Sequence, residues 1–299
     1  MKRILCLSGG GVRGIAQVQV LKVLEEQYRK PLCEVYDLII GTSAGAINAS
    51  VIATGKISMR DLSNMYEDLM KKIFKKRFGI FPIPKYDRKI FENEWAKIIG
   101  DFLFSEAKTK LIITTVDLVS DTNIFYKSWH ENHNDTQLKD IVLRSFAAPL
   151  YFGQIADKKN KMVYSDGGLG SANFPLMEAK LQAEAFGWYH DGEEVEIHAV
   201  GALFDDKKQS FDEVSHDFWI QQILDFLKPS DGGLARLQSR VDQLRMMEYI
   251  CSKIPTIKFK YWDSHIENTK LSLDDIQYCG YYRYLGSLMA QDPLIQYNY

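Results

Sequence analysis

The run Gly41-Thr42-Ser43-Ala44-Gly45 follows the apolar segment VYDLII and precedes an alanine-rich apolar stretch. A G-x-S-x-G sequence between a strand and a helix is the setting of a nucleophile elbow. Small residues let the chain turn sharply. The serine oxygen is then presented at a helix N-terminus, where the positive end of the dipole favours developing negative charge. The chemistry this permits is attack on an acyl carbonyl. A plainer reading also fits: a glycine-rich turn with Ser43 capping a helix. The pattern by itself arises by chance in roughly one chain in ten of this size, so its position between strand and helix carries the argument.

Gly9-Gly10-Gly11-Val12-Arg13-Gly14 stands in a similar place, after RILCLS and before apolar residues at helical spacing. It satisfies G-x-G-x-x-G, with Glu34 and Asp37 near the distance expected of a ribose-binding acid. A dinucleotide-binding crossover is therefore one reading. It leaves the third consecutive glycine, Arg13 and the Ser43 turn without a use. A second reading is an oxyanion hole, because consecutive glycine amides can point at one oxygen with no side chain in the way. Loops after neighbouring parallel strands open on the same sheet edge, so the amides of Gly10 and Gly11 and the Ser43 hydroxyl can converge there. A purely structural turn is the third.

A serine hydroxyl needs a base. Asp166-Gly167-Gly168 follows a short strand-like segment. Its glycines allow close approach, burial would raise the carboxylate's proton affinity, and transfer need only accompany attack. The tripeptide recurs at Asp231-Gly232-Gly233, after Lys228-Pro229-Ser230, where it reads as a loop between helices. The base is therefore assigned to Asp166. His130, His133, His190, His198, His216 and His265 make a Ser-His-Asp triad available by inventory, and His190 and His198 follow Asp166 in the hydrolase order. None stands in a telling motif. No H-E-x-x-H run or Cys/His cluster points to a metal.

These residues need a scaffold. Residues 3–8 read as a buried strand, 12–28 as a helix with apolar positions at Ile15, Val18, Leu21 and Leu24, and 35–40 as a second strand. Such a unit has parallel strands and a right-handed crossover. A helix follows over 44–54 and ends at Gly55. Helices at 58–76, 136–146, beyond Pro175 and over most of 212–250 alternate with strands at 110–119, 124–128, 162–165, 195–203 and 257–262. Residues 77–89, with Gly79, Pro82 and Pro84, read as a loop, and a last helix starts near Leu273. The alternation predicts an α/β fold with a mainly parallel sheet. Residues 38–55 lack charge, but small and polar residues such as Gly41, Ser43, Asn48 and Thr54 make a membrane span a poor solution.

The three motifs together resemble the patatin-like phospholipase family, which shares its catalytic core with cytosolic phospholipase A2. The family pattern is a G-G-G-x-R/K-G loop, then G-x-S-x-G, then D-G-G/A; here these stand at 9–14, 41–45 and 166–168. The glycine string with arginine would arise by chance in under about one chain in a thousand of this length. The segment 143–153 (LRSFAAPLYFG) also looks like the family's approach to the aspartate. The likeness covers residues 1 to about 178. It implies a three-layer α/β/α fold and a Ser43–Asp166 dyad working without histidine or cofactor. Backbone amides at Gly10 and Gly11 would hold the oxyanion, and Arg13 would steady the loop or meet a lipid phosphate. The implied substrate is a membrane phospholipid, cleaved at its fatty-acyl ester. Some bacterial members are defence effectors switched on by cyclic nucleotides. The divergent C-terminal third leaves room for a small nucleotide activator or a homo-oligomer contact. We expect a catalytic core over 1–210, with a cap segment at about 58–91, and a mostly helical part over 211–299 packed on the same domain. Another serine esterase or acyltransferase, a nucleotide-binding module and a catalytically idle scaffold are the alternatives.

The chain of 299 residues is 46% hydrophobic and 25% charged with formal charge −2, which permits a sizeable core and excludes a uniformly basic nucleic-acid binder. Cys6, Cys33, Cys251 and Cys279 form no C-x-x-C pair, and the N-terminus holds too short an apolar run for a signal peptide. Reduced thiols and a cytoplasmic location are the simplest reading. Near-neutrality is an average. Residues 71–91 hold eight Lys or Arg and one acid, interleaved with Phe74, Phe78, Phe81 and Ile83. Basic residues approach anionic lipid while aromatics settle at the interface. We expect Lys71, Lys72, Phe74, Lys75, Lys76, Arg77 and Phe78 to face a membrane. The other reading is a solvated basic face whose phenylalanines enter the core.

Overall fold

Successive residues of Lys2–Leu7 (β1) point to opposite sides of a sheet, and both sides are buried. Leu5 and Leu7 join one apolar cluster, Ile4 and Cys6 another. Strand β2 (Leu38–Thr42) divides in the same way, Ile39 to one side and Leu38 and Ile40 to the other. Continuous apolar runs are what parallel strands covered on both faces require. In this computed structural model residues 1–77, 84–133, 135–204, 234–266 and 271–297 are described.

The remaining strands are β3 (Lys110–Asp117), β4 (Thr122–Lys127), β5 (Ile155–Asp157), β6 (Met162–Asp166), β7 (Val195–Val200), β8 (Ile257–Trp262) and β9 (Ile295–Tyr297). The sheet order is β5-β6-β3-β2-β1-β7-β8-β9, with β4 also on β3. The five strands from β3 to β8 through β1 are parallel, and antiparallel pairing is confined to the two ends. Helices α1 (Gly14–Tyr28), α3 (Ala44–Thr54), α4 (Met59–Ile73), α5 (Arg88–Ile99), α6 (Leu138–Ser145) and α9 (Cys279–Met289) belong to the cluster on one face; α7 (Leu176–Ala185) and α8 (Leu234–Lys253) belong to the other. A three-layer α/β/α arrangement results. Every residue of α3 is buried, which is why residues 38–55 carry no charge.

Several boundaries differ from the sequence reading. Pro31 starts a single helical turn, α2 (Leu32–Val35), so β2 begins at Leu38 and runs on to Thr42. Helix α5 was hidden in a charged stretch and begins at Arg88, capped by Asp87, whose side chain accepts from the Lys89 amide at 3.0 Å. The last helix starts at Cys279 because Leu273 is captured by the glycine loop through a Val12 N–H bond of 2.9 Å. Two expectations for the C-terminal half, the helix over 212–233 and the loop at Asp231-Gly232-Gly233, lie outside the described residues, as do His216, Phe78, Phe81 and Ile83.

Candidate active site

The register of β3 explains how two distant motifs meet. Residues Ile112 to Asp117 pair with β4 along one edge of β3. The other edge is shared. Strand β2 pairs in parallel and ends with Thr42 opposite Thr114, while β6 pairs antiparallel and ends with Asp166 opposite Thr115. Two strands thus run toward each other along one edge, and their C-termini meet. Thr114 Oγ1 lies 2.7 Å from Thr42 Oγ1, and Thr115 Oγ1 donates to the Ser165 carbonyl at 2.6 Å, tying both strand ends to β3.

Ser43, the next residue after β2, donates its hydroxyl to Asp166 Oδ2 at 2.7 Å. The other carboxylate oxygen, Oδ1, accepts from the Gly168 amide at 2.7 Å. Both residues are buried, with 6% and 7% exposure. Ser43 has φ 52 and ψ −117, a conformation rarely adopted by a residue with a Cβ and costing on the order of 1–3 kcal/mol. The turn is held by contacts on both sides. The Ser43 amide donates to Ser145 Oγ at 2.9 Å. A Cβ at Gly45 would lie 2.3 Å from the Leu7 carbonyl oxygen, and one at Gly41 2.4 Å from that of Gly45. Only glycine lets α3 sit this close to β1 and β2.

The glycine loop reaches the same point. A Cβ at Gly9 would come within 3.1 Å of Ser43 Cβ, and the Gly9 amide donates to the Asn173 carbonyl at 3.1 Å. Gly167 lies against Thr114, and Gly168 against Asn173 Oδ1. Asn173 therefore links the glycine loop to the aspartate loop. The amides of Gly10 and Gly11 donate to no acceptor among the described residues. Gly14 opens α1 against Ala44 and Tyr66. Beneath the loop, Gln17 donates to the carbonyls of Ser8 and Val200 at 2.9 and 3.0 Å and accepts from Asn48, which also donates to the Gly14 carbonyl.

The patatin-like phospholipase family model matches residues 5–180. The chain belongs to that family. Among curated relatives, it is 30% identical over 189 residues to a cGAMP-activated phospholipase of Escherichia coli, covering 57% of this chain and 53% of that one. It is 31% identical over 199 residues to a cGAMP-activated phospholipase of Vibrio cholerae, covering 57% and 55%. The chain thus spans about half the length of these relatives. The solved structure of VipD from Legionella pneumophila matches with a TM-score of 0.51 at 11% identity, covering 97% of this chain and 66% of that one, a likeness of fold.

Within this patatin-like site, some expected residues sit elsewhere. Arg13 is buried, donates to the Leu271 carbonyl at 2.7 Å and faces the Tyr282 ring, an arrangement in which it braces the loop, the first of its two expected uses. Asp37 precedes β2 and pairs with Lys2 at 3.0 Å, and Glu34 lies in α2; both are at the amino edge of the sheet, opposite the glycine loop. Neither acid can meet a ribose held by that loop. Phe74, expected to face a membrane, is buried against Tyr86, Phe146 and Phe152, where the Lys76–Tyr86 bridge closes the chain over it. Lys71 and Lys72 are exposed but paired with Glu67 and Glu94, while Lys75, Lys76 and Arg77 are exposed with no ion pair among the described residues. Ser145 and Asn173 had no motif of their own; only the family-like segment 143–153 pointed toward the first.

His198 stands inside β7. Its ring lies 2.8 Å from Tyr36 Oη and 3.1 Å from Glu196, and burial pushes its pKa below the ordinary 6.5. The unfolded chain then takes up the proton first, so stability falls as pH drops below about 6.5. His198→Gln is expected to keep ester hydrolysis within about threefold of wild type and to flatten that acid-side loss of melting temperature. A thousand-fold loss of turnover in a folded variant would restore the triad.

Proposed function

We propose that the chain is a lipid acyl hydrolase working through a Ser43–Asp166 dyad. The observation that carries this is the 2.7 Å hydrogen bond between the Ser43 hydroxyl and Asp166 in a strained, buried turn that touches the glycine loop at Gly9, a loop in which the amides of Gly10 and Gly11 meet no acceptor among the described residues. Ser43 Oγ attacks the acyl carbonyl while its proton passes to Asp166. The carbonyl oxygen, now an anion, is received by the amides of Gly10 and Gly11. The tetrahedral species expels the alcohol, which takes the proton from Asp166, and an acyl ester of Ser43 remains. Water then attacks with Asp166 as base, freeing the fatty acid and restoring the serine. Every proton is shuttled by one carboxylate, and no metal is needed to balance the steps.

Family membership supports a phospholipid as substrate, met at a membrane surface. No helix among the described residues is long and apolar enough to cross a membrane. The names of two relatives add a cyclic nucleotide as trigger, and hydrolysis assayed with and without cGAMP tests that addition. The reading as a whole is tested with a fluorophosphonate probe and phospholipid vesicles. The expected result is one labelled residue, Ser43, and release of free fatty acid that stops as labelling completes. Labelling elsewhere, or fatty-acid release from fully labelled protein, would overturn it.

A further inference from the structure

Two hairpins rise past the dyad on the same edge of the sheet. Strand β3 continues beyond Thr115 to a tip at Leu118, Val119, Ser120 and Asp121 before returning as β4. Strands β5 and β6 close through a turn at Asp157 to Lys161, beside that tip. The two are locked together. The Leu118 amide donates to the Val163 carbonyl at 2.8 Å. Asp117, itself buried, accepts from the amides of Val119, Ser120 and Val163 at 3.1 to 3.2 Å.

The composition of this paired tip is unusual for a turn, where polar residues and glycine dominate. Leu118 and Val119 are 43% and 64% exposed, and no core draws them in. Lys158, Lys159 and Lys161 stand exposed in the adjoining turn with no ion pair among the described residues. The acids nearby are Asp117, Asp121 and Asp157; Asp117 is engaged by the amides named above and Asp157 by the amide and side chain of Asn160. Two further exposed leucines lie on loops of the same edge: Leu169, next to Gly168, and Leu150, in the loop whose Ala147 carbonyl accepts from the Asp166 amide.

We propose that this double hairpin is the anchor by which the protein settles on an anionic lipid bilayer. Leu118 and Val119 enter the interface, and the three lysines meet lipid phosphates around them. The inference rests on the lipid-hydrolase reading above for its purpose, and on the exposed apolar tip and its basic flank for its content. Distance agrees. Val119 lies four residues beyond the dyad level, at most about 13 Å along the strand. Apolar side chains of surface-bound segments sink roughly 5–10 Å. A tip seated to that depth holds the dyad level within about 10 Å of the interface, with the exposed Leu150 and Leu169 on loops of the same edge. Residues 71–77 offer charge for the same purpose but no exposed apolar side chain.

The test compares wild type, Leu118→Ser with Val119→Ser, and Lys158→Glu with Lys159→Glu and Lys161→Glu, all as the full chain. Sedimentation with phosphatidylcholine vesicles, with and without phosphatidylglycerol, reads binding; a soluble short-chain ester reads the dyad. The apolar pair is expected to bind phosphatidylglycerol vesicles tenfold or more weakly, and the lysine variant to lose the preference for phosphatidylglycerol. Both should hydrolyse the soluble ester within twofold of wild type. Unchanged vesicle binding by the apolar variant overturns the proposal. So does a wild type that avoids both vesicles, a tip variant whose main change is oligomeric state, or an equal loss on the soluble ester. Binding needs no catalysis, so a wild type that binds through the tip but cleaves no ester would sink the hydrolase reading and leave the anchor standing.

Discussion

Replacing Ser43 by alanine is expected to lower ester hydrolysis by about ten-thousand-fold or more, and Asp166→Asn by a comparable factor. The two act as one unit. Removing the hydroxyl leaves Asp166 with no proton to accept, and an amide in place of the carboxylate keeps its shape while being unable to take one. The double variant is therefore expected to be no worse than either single. Additive losses would mean that the two groups work separately, against a hydrogen bond of 2.7 Å. Each substitution removes one buried hydrogen bond, worth on the order of 1 kcal/mol net, so both variants should fold with melting temperatures near wild type. Asp231→Asn is the internal control, since the tripeptide at 231–233 copies that at 166–168. A variant series in which Asp231 mattered and Asp166 did not would remove the dyad as assigned. Steady-state turnover on a soluble ester, beside thermal unfolding, is sufficient to decide.

Much of this site could be read along the chain because its local pieces are self-announcing. The apolar run before Gly41, the glycine spacing around Ser43 and the uncharged stretch after it specify strand, sharp turn and buried helix in order, and α3 indeed spans Ala44–Thr54. What could not be read is non-local. No spacing announces that β6 will pair antiparallel on the edge of β3 that β2 leaves vacant at Thr114, yet that pairing brings Asp166 to Ser43. Ser145 and Asn173 support the turn through one hydroxyl and one carbonyl, roles that many residues could fill and that leave no motif. Glu34 and Asp37 had the right spacing for a ribose acid, but α2 places them before β2 at the opposite edge. Phe74 and its basic neighbours alternated like an interfacial segment, whereas the ring completes an aromatic cluster with Tyr86, Phe146 and Phe152. Charge patterning shows which residues meet water. It does not show which aromatic among them turns inward.

Gly11→Ala is expected to lower kcat by about 10²- to 10³-fold with KM within threefold, the loss that follows removal of one oxyanion donor. Gly11 has φ +57, and an alanine there bears about 1–2 kcal/mol of backbone strain. Its Cβ would also fall 2.2 Å from the Leu273 carbonyl oxygen and 3.0 Å from Leu273 Cβ. One partner must move. The segment around Leu273 has an anchor outside the loop, since buried Asp274 next to it is held by Lys85 and Tyr86, whereas the Val12 and Arg13 bonds to Leu273 and Leu271 pull the loop along with any shift. The loop therefore shifts, and the Gly11 amide leaves the place where the oxyanion forms. Labelling of Ser43 by a fluorophosphonate should slow in the same proportion, because its phosphoryl oxygen uses the same donors. Gly192→Ala separates strain from displacement. Gly192 has φ +79, but nothing lies within 4 Å of an added Cβ, so this variant should lose some stability and keep its turnover. Equal kinetic loss in both variants would assign the effect to general destabilisation. Full activity in a folded Gly11→Ala protein would show that the oxyanion is held without the Gly11 amide, leaving that of Gly10 as the assigned donor to examine.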